Sequence, residues 1–307
     1  MRELLSELIA ASAEASSDSI VLSGDHGYAL FDAIRRRTPD QFVNVGVAEQ
    51  GMVGLAAGLA RVGFRPLVYG LAAFVPMRVL EQIKIDVCLS RLPVVFLGDG
   101  AGLVYSTLGA SHQCAEDLAC LRPLPHLQIF SPCDAEELRA CYLEATTSSL
   151  PSYIRIGKSD RPVVNNDRLR STRPHFVIRS ERSENCLVAA GSMLAPCVSI
   201  AKALGIACLS VPKIKPLDAD ILQTLSPFRR AIVVEEHSRH GGLASAVLER
   251  TAEESAPSRI PLIRSVALED RFSERCGSYQ HALSEHKLDD SQLLARISTL
   301  IQTPYLQ

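Results

Sequence analysis

Short apolar runs alternate with helix-like segments along most of this chain. The first half has such runs at residues 19–22, 42–47, 64–69, 92–97 and 127–130, and a closing run at 151–158. From Cys186 the same alternation resumes and continues to residue 266. Parallel sheets produce this alternation, because each crossover between neighbouring parallel strands needs room for a helix. The pattern predicts an α/β chain with two domains, each built on a mostly parallel sheet flanked by helices.

The segment between the two halves has a different composition. It is polar and rich in arginine, with Arg161, Arg168, Arg170, Arg173, Arg179 and Arg182. Such a composition is typical of a chain that crosses between domains. We therefore predict a first domain over residues 1–160, a linker over 161–184 and a second domain over 185–307.

Composition narrows the function classes. A net charge of −2 provides no basic field for nucleic acid. Glu3, Glu7 and Glu14 interrupt any signal-peptide core, and no run of about 18 apolar residues is present to span a membrane. Nine cysteines without a CxxC pair indicate reduced, buried thiols. These features predict a cytoplasmic protein that does not bind nucleic acid.

The most unusual segment is QFVNVGVAEQGMVGLAAGLAR, at residues 41–61, in which Glu49 is the only charged residue before Arg61. Its second half is apolar on every face, which predicts a buried helix. Three glycines there each cost about 1 kcal/mol relative to alanine, and close packing against another backbone would offset this. A lone carboxylate in such surroundings favours the proton-bearing form. The residues alone also allow a glutamate that only binds backbone amides at a helix N-terminus.

The run NVGVAEQGMVGLAAGLA resembles the pyrimidine-domain signature of transketolases and deoxyxylulose-phosphate synthases, and most closely the C-terminal half of a split transketolase. In that family the matching glutamate hydrogen-bonds the aminopyrimidine of thiamine diphosphate. It favours the imino tautomer, whose nitrogen removes the thiazolium C2 proton to form the nucleophilic ylide. The resemblance implies this role for Glu49. It also implies a pyrimidine-binding domain followed by a transketolase C-terminal domain.

The same resemblance assigns further residues to the cofactor. Phe74, in an F-x-x-x-R-x-x-E-Q segment, matches the aromatic residue that stacks on the aminopyrimidine, although a lone Phe after a strand is more often a core residue. Arg78 either lines the same site or pairs with Glu81 one helical turn on. Asp25 matches an acidic residue near the cofactor at the dimer interface, and His26 receives no role.

Substrate residues follow from the loop GAGLVYSTLGASHQ at residues 100–113. His112 matches the histidine that contacts the reacting end of the donor. Lys158 lies where relatives have a phosphate-binding arginine, or it is simply an exposed lysine at a strand end. The loop departs from the family at Gly100, where relatives have a basic residue, and at Leu108, where they have an acidic one. These departures predict an acceptor with fewer hydroxyl groups.

The segment Gly98-Asp99-Gly100 matches the start of the motif that binds diphosphate and magnesium in thiamine enzymes. That motif also needs an asparagine about thirty residues further on, to complete the oxygen shell of Mg²⁺. No asparagine lies between Asn44 and Asn165. We therefore predict no metal ligand in this chain, and a partner subunit that supplies both Mg²⁺ and the diphosphate contacts.

Together these features predict the C-terminal subunit of a two-component transketolase that transfers a two-carbon ketol unit from a ketose phosphate to an aldehyde-like acceptor. Its partner would be an N-terminal, diphosphate-binding subunit, in a heterotetramer that contains two copies of each chain. Two alternatives stay open. One is a 2-oxoacid dehydrogenase β subunit, and the other is a transketolase-like scaffold without turnover, which the Gly100 and Leu108 departures motivate.

Overall fold

The computed structural model describes residues 1–158, 160–165, 168–253 and 260–303. Its strands are β1 (Ser19–Ser23), β2 (Phe42–Asn44), β3 (Arg65–Leu71), β4 (Val95–Asp99), β5 (Gln128–Phe130), β6 (Ser152–Ile156), β7 (His175–Ile178), β8 (Asn185–Ala189), β9 (Ala207–Ser210), β10 (Lys213–Lys215), β11 (Arg230–Ser238) and β12 (Leu262–Leu268). They form a seven-stranded sheet in the order β10-β5-β6-β4-β3-β1-β2 and a five-stranded sheet in the order β12-β11-β8-β9-β7. The described pairings are parallel except those of β10 with β5 and β7 with β9. Two mostly parallel sheets are thus confirmed.

Helices connect the strands and cover the sheets. They are α1 (Arg2–Ala15), α2 (Asp32–Arg37), α3 (Glu49–Arg61), α4 (Leu80–Gln82), α5 (Asp117–Leu121), α6 (Ala135–Thr147), α7 (Leu194–Leu204), α8 (Ile221–Leu225), α9 (Leu243–Glu253), α10 (Tyr279–Glu285) and α11 (Asp290–Gln302). The short helix α4 continues into a π-helical segment at Ile83–Cys88. Among the described helices, none has the length and apolar content needed to cross a membrane.

Two short strands cross the predicted division of the chain. β10 comes from the second half but pairs with β5 at the edge of the first sheet. β7 comes from the predicted linker and pairs with β9 at the edge of the second sheet. The boundaries at residues 160 and 184 stay predictions. Residue 159, residues 166–167 of the predicted linker, and residues 254–259 and 304–307 of the predicted second domain lie outside the described residues.

Helix α3 is buried on one side only, so the prediction of a helix buried on every face is wrong for this chain by itself. Its buried side chains beyond Glu49 are Met52, Val53, Ala56, Ala57 and Ala60. On the other side Leu55 is exposed, and a Cβ added to Gly51, Gly54 or Gly58 would meet no atom within 4 Å. The close backbone approach expected at the glycines is therefore not made by the described residues of this chain.

A buried ion pair ties the first sheet to the second. Arg155 on β6 donates from Nε to both oxygens of Asp117, at 3.0 and 2.8 Å, and from Nη2 to the backbone oxygen of Glu236 on β11, at 2.8 Å. The Tyr153 hydroxyl also donates to Asp117, at 2.8 Å. The Arg155 and Asp117 side chains are 5% and 0% exposed. Because both charges are buried and hydrogen-bonded, this cluster fixes β6 against β11.

We expect Arg155→Met to lower the free energy of unfolding by about 3–5 kcal/mol, because Asp117 would keep a buried charge without its partner. Urea-induced unfolding of the purified chain measures the change. Arg37→Met is the matched control, since Arg37 pairs with Glu7 at the surface and such a pair contributes about 1 kcal/mol or less. Equal losses in the two variants would contradict the interdomain role of Arg155.

Candidate active site

The carboxyl ends of several parallel strands and the start of α3 meet at one edge of the first sheet. Glu49, the first residue of α3, is only 3% exposed. Gly24 follows β1, and a Cβ added there would lie 3.8 Å from Cγ of Glu49. Phe74 follows β3 in the next strand connection. Functional groups of parallel α/β sheets collect at this edge, because the loops that leave the strands converge there.

Arg78 connects two other predicted cofactor residues, Glu49 and Phe74. Its Nη1 donates to both carboxylate oxygens of Glu49, each at 3.1 Å. Its guanidinium carbon lies 4.2 Å from the centroid of the Phe74 ring. Glu49 is therefore buried, as predicted, but it is not the lone carboxylate expected from the sequence. Of the two partners considered for Arg78, the structure shows the site residue Glu49, and the described ion pairs include none between Arg78 and Glu81.

Two histidines lie beside the Phe74 ring. The ring centroid of His112 is 5.3 Å from that of Phe74 at an interplanar angle of 66°, and Nδ1 of His112 lies 3.0 Å from Oγ of Ser111. The centroid of His26 is 6.1 Å from that of Phe74, and its Nε2 has no hydrogen-bond partner among the described residues. His26 was not predicted from the sequence. Its place in the loop after β1, at the carboxyl edge of the sheet, was the available signal.

Asp25 and Lys158 make other contacts. The Asp25 backbone N–H donates to Oδ1 of Asn44 at 3.1 Å, and Nδ2 of Asn44 donates to Oδ1 of Asp25 at 3.0 Å, which ties β1 to β2. Nζ of Lys158 lies 2.8 Å from a carboxylate oxygen of Asp160. No described hydrogen bond or ring contact joins either residue to Phe74. The cofactor role of Asp25 and the substrate role of Lys158 stay predictions.

The Gly98-Asp99-Gly100 segment is held by two tyrosines. The hydroxyls of Tyr69 and Tyr105 donate to Oδ2 of Asp99, at 2.8 and 3.0 Å. Gly100 has a φ of +73°, and a Cβ added to it would overlap the Tyr105 ring. Tyr105 thus fills the space that a basic side chain at position 100 would need, and Asp99 acts as the anchor of these tyrosines.

A separate cavity of about 400 Å³ lies between the loop of His112 and residues 268–273 of the second half. Oγ of Ser273 donates to Oε1 of Gln113 at 2.8 Å and lies 3.0 Å from Nε2 of His286. None of the predicted site residues lines this cavity. It is therefore not the site that the motif residues form.

Strand β11 carries buried titratable groups with structural partners. Glu235 accepts the backbone N–H groups of Leu243 and Ala244, at 2.7 and 3.1 Å, at the start of α9. Burial raises the pKa of Glu235 to about 7, although these two bonds oppose the change. Burial lowers the pKa of His237 to about 4, so the ring is neutral near pH 7. Nδ1 of His237 lies 2.8 Å from the backbone oxygen of Ser238. These contacts give Glu235 and His237 roles in the fold.

We expect His237 to contribute to acid destabilisation. An unfolded histidine titrates near pH 6.5 and folded His237 near about 4, so between these values the unfolded chain binds the extra proton and stability falls as pH falls. His237→Gln should therefore reduce the loss of unfolding free energy between pH 6.5 and 4 by about 2–3 kcal/mol. Urea unfolding at several pH values measures this. His240→Gln, at an exposed site, is the control, and equal pH slopes in the two variants would refute the prediction.

The family follows from comparison with known proteins. A family model of the transketolase pyrimidine binding domain matches residues 1–163, and one of the transketolase C-terminal domain matches residues 175–290. The chain therefore belongs to the transketolase family. Because its relatives include subunits of two-component transketolases, it is within that family the C-terminal subunit of such an enzyme, as the motifs predict. These matches do not favour the two alternatives, a 2-oxoacid dehydrogenase β subunit and a scaffold without turnover.

Individual relatives support this assignment. An apulose-4-phosphate transketolase subunit of Phocaeicola vulgatus is 34% identical over 256 residues, which cover 81% of this chain and 82% of that protein. The 1-deoxy-D-xylulose-5-phosphate synthase 1 of Geobacter metallireducens is 34% identical over 272 residues, or 86% of this chain but 43% of that protein.

Comparison with solved structures supports the same family. A split-gene transketolase, described as an inactive beta4 tetramer, superimposes with a TM-score of 0.83 at 31% identity and covers 97% of this chain and 96% of that one. The transketolase of Campylobacter jejuni has a TM-score of 0.78 at 16% identity, and the match covers 97% of this chain and 46% of that one. At this low identity the second likeness shows the fold alone.

Proposed function

We propose that this chain supplies the carboxyl, aromatic and histidine half of a thiamine diphosphate site. In complex with a diphosphate-binding subunit, it would transfer a two-carbon ketol unit from a ketose phosphate to an aldehyde-like acceptor. The observation that carries this proposal is the buried carboxyl group of Glu49, which the Arg78 guanidinium joins to the Phe74 ring, with His112 beside the same aromatic ring. The transketolase names of the relatives support the same reaction.

The residues present fit the aminopyrimidine of thiamine diphosphate. A guanidinium group is flat and carries several N–H donors. The guanidinium of Arg78 lies over the Phe74 ring and reaches both oxygens of Glu49. A flat group with hydrogen-bonding edges therefore fits these two side chains together. Glu49 would hold the ring by a hydrogen bond and Phe74 by stacking, and the bound cofactor would supply the carbon nucleophile and electron sink for cleavage of the C–C bond.

His112 would orient the reacting oxygens of the substrate. Its Nδ1 lies 3.0 Å from the Ser111 hydroxyl, which leaves Nε2 available to a substrate oxygen. Lys158, at the end of β6, would contact a substrate phosphate as a point charge after exchange of its partner Asp160. Asp25 would lie near the cofactor at the contact with another chain.

The loop before His112 favours an acceptor with few hydroxyl groups. Leu108 is exposed, on a 3₁₀ turn at Ser106–Leu108, and a leucine side chain cannot accept a hydroxyl proton. Tyr105 occupies the space beside Gly100. Independently of this loop, the names of two relatives make apulose 4-phosphate a substrate to assay beside the common ketose phosphates.

We also propose that the partner subunit binds the diphosphate and Mg²⁺, and that the complex is a cytoplasmic heterotetramer with two copies of each chain. The anchoring of both tyrosines by Asp99 supports this division, because that carboxylate already has partners. Light scattering of the active complex tests the stoichiometry. A complex with one copy of each chain would contradict it.

The open face of α3 is the surface that we propose for the partner subunit. This face consists of Gly51, Gly54, Leu55 and Gly58. Glycines let another backbone approach closely. The helix starts at Glu49, so a subunit bound along this face would lie next to the half-site, which consists of Glu49, Phe74 and His112, and could complete it.

We expect Glu49→Ala to lower the kcat of ketol transfer by about 10²–10⁴, the range for loss of a proton-handling group. The assay uses this chain copurified with its partner subunit, thiamine diphosphate and Mg²⁺, with a ketose phosphate donor and an aldehyde acceptor. Glu81→Ala removes an exposed carboxylate close to the same segment and should leave kcat unchanged. Full activity of Glu49→Ala would contradict the proposed role.

The same assay separates the alternatives. Consumption of 2-oxoacids in place of ketoses would favour the dehydrogenase hypothesis. Absence of turnover with both donor classes would favour the scaffold hypothesis.

We expect Gly54→Leu to weaken association with the partner subunit at least tenfold, because the new side chain would overpack a close helix contact. The thermal unfolding temperature of the isolated chain should not fall, since a Cβ at Gly54 meets no atom within 4 Å. Ala11→Leu, an exposed substitution on α1, is the control for added apolar surface. Biolayer interferometry measures the affinity of each variant for the partner subunit. An unchanged affinity in Gly54→Leu would show that the partner subunit binds elsewhere.

A further inference from the structure

We propose that Arg78 is an internal ligand of the half-site, which occupies the position of the aminopyrimidine and must leave before the cofactor binds. This inference rests on the proposed function and concerns the way in which the same site opens. It assigns Arg78 a role opposite to the one predicted from the sequence. There Arg78 was expected either to line the cofactor site as one of its binding residues or to pair with Glu81.

The geometry is that of a ligand in a binding site. Two oxygens of Glu49 accept hydrogen bonds from one nitrogen of Arg78, both at 3.1 Å. The guanidinium lies 4.2 Å from the Phe74 ring centroid, which is the distance of a stacked pair. A ring that stacked on this face and hydrogen-bonded this carboxyl group would overlap the guanidinium. Arg78 and the aminopyrimidine therefore exclude each other.

The exposures of the two partners show which one moves. Glu49 is 3% exposed at the start of α3, whereas the Arg78 side chain is 46% exposed. The side chain of Arg78 can turn into solvent, while Glu49 cannot leave its place without unwinding the helix start. Within the described residues, the side chain of Arg78 contacts Glu49 and Phe74.

The same difference explains why the site stays closed without a ligand. Departure of Arg78 leaves Glu49 buried and unpaired, which is costly. The guanidinium is thus retained until another group takes over both the hydrogen bond and the stacking contact. Binding becomes an exchange of one flat hydrogen-bonding group for another. The apparent dissociation constant for the cofactor then equals the intrinsic one divided by the fraction of chains in which Arg78 has left.

Cofactor binding by the complex with the partner subunit tests this inference. Isothermal titration calorimetry with thiamine diphosphate and Mg²⁺ compares wild type with Arg78→Ala and Arg78→Gln. If Arg78 closes about nine-tenths of the sites, both variants should bind with a dissociation constant about tenfold lower. The two variants differ in size and polarity, so one serves where the other fails to fold, as judged by thermal unfolding.

Arg35→Ala is the matched control. The Arg35 guanidinium lies 4.7 Å from the centroid of the Phe42 ring, so this variant also removes a stacked arginine, but one outside the half-site. Its dissociation constant should equal that of wild type. Arg78→Lys keeps the charge and loses the flat fork, and it should bind more tightly than wild type.

The outcomes separate this inference from the proposed function. A higher dissociation constant in Arg78→Ala would overturn the inference and make Arg78 a cofactor ligand, and an unchanged constant would overturn it equally. In both cases the proposed function stays intact if the wild-type complex binds the cofactor and the Glu49→Ala variant loses turnover. A wild-type complex that neither binds thiamine diphosphate nor transfers a ketol unit overturns both. A lower constant in the Arg78 variants, with Arg35→Ala unchanged, is the expected result.

Discussion

A carboxylate that is taken out of water needs a partner, and two carboxylates of this chain meet that need in different ways. Asp117 is paired with Arg155, which is itself 5% exposed and hydrogen-bonded to the second half of the chain. Glu49 is paired with Arg78, whose side chain is 46% exposed. The first pair has no route to solvent and holds two sheets together. The second has one charge that can leave, so the same physical demand produces a fixed clamp in one place and an exchangeable contact in the other.

The topology explains why the exchangeable pair lies where it does. Strands β1, β3 and β4 run parallel. His26 and Phe74, in the segments after β1 and β3, and Asp99, the last residue of β4, therefore come to one edge of the sheet. Helix α3 starts at that edge and presents Glu49 with the residues that follow β1. The inner side of α3 belongs to the core, and its glycine side is open. A single helix can thus position the carboxyl group and offer a surface to another chain, which suits a site divided between two subunits.

Much of this arrangement is predictable from sequence, and the parts that are not share a physical cause. The alternation of strands and helices predicts two mostly parallel sheets, and the run that contains Glu49 predicts its burial. The contact of Arg78 with Glu49 joins residues 29 positions apart, and helical spacing alone suggested Glu81 instead. Strands β7 and β10 are too short to give a period and depend on the edges that they meet. Because α3 is apolar on every side, the sequence predicted burial on every side. Composition does not say whether the same chain covers each face, and here it covers only one side.

The loop before His112 shows why single positions mislead when they are compared with a family one at a time. Gly100 and Leu108 are both departures from the family pattern, but they differ physically. Gly100 is coupled to its surroundings, since Tyr105 fills the adjacent space and donates to Asp99, which also accepts from Tyr69. A basic residue at position 100 would displace Tyr105 and disturb that cluster. Leu108 is exposed on a turn, and it can vary without a compensating change. Differences in acceptor between relatives should therefore arise at position 108 more readily than at position 100.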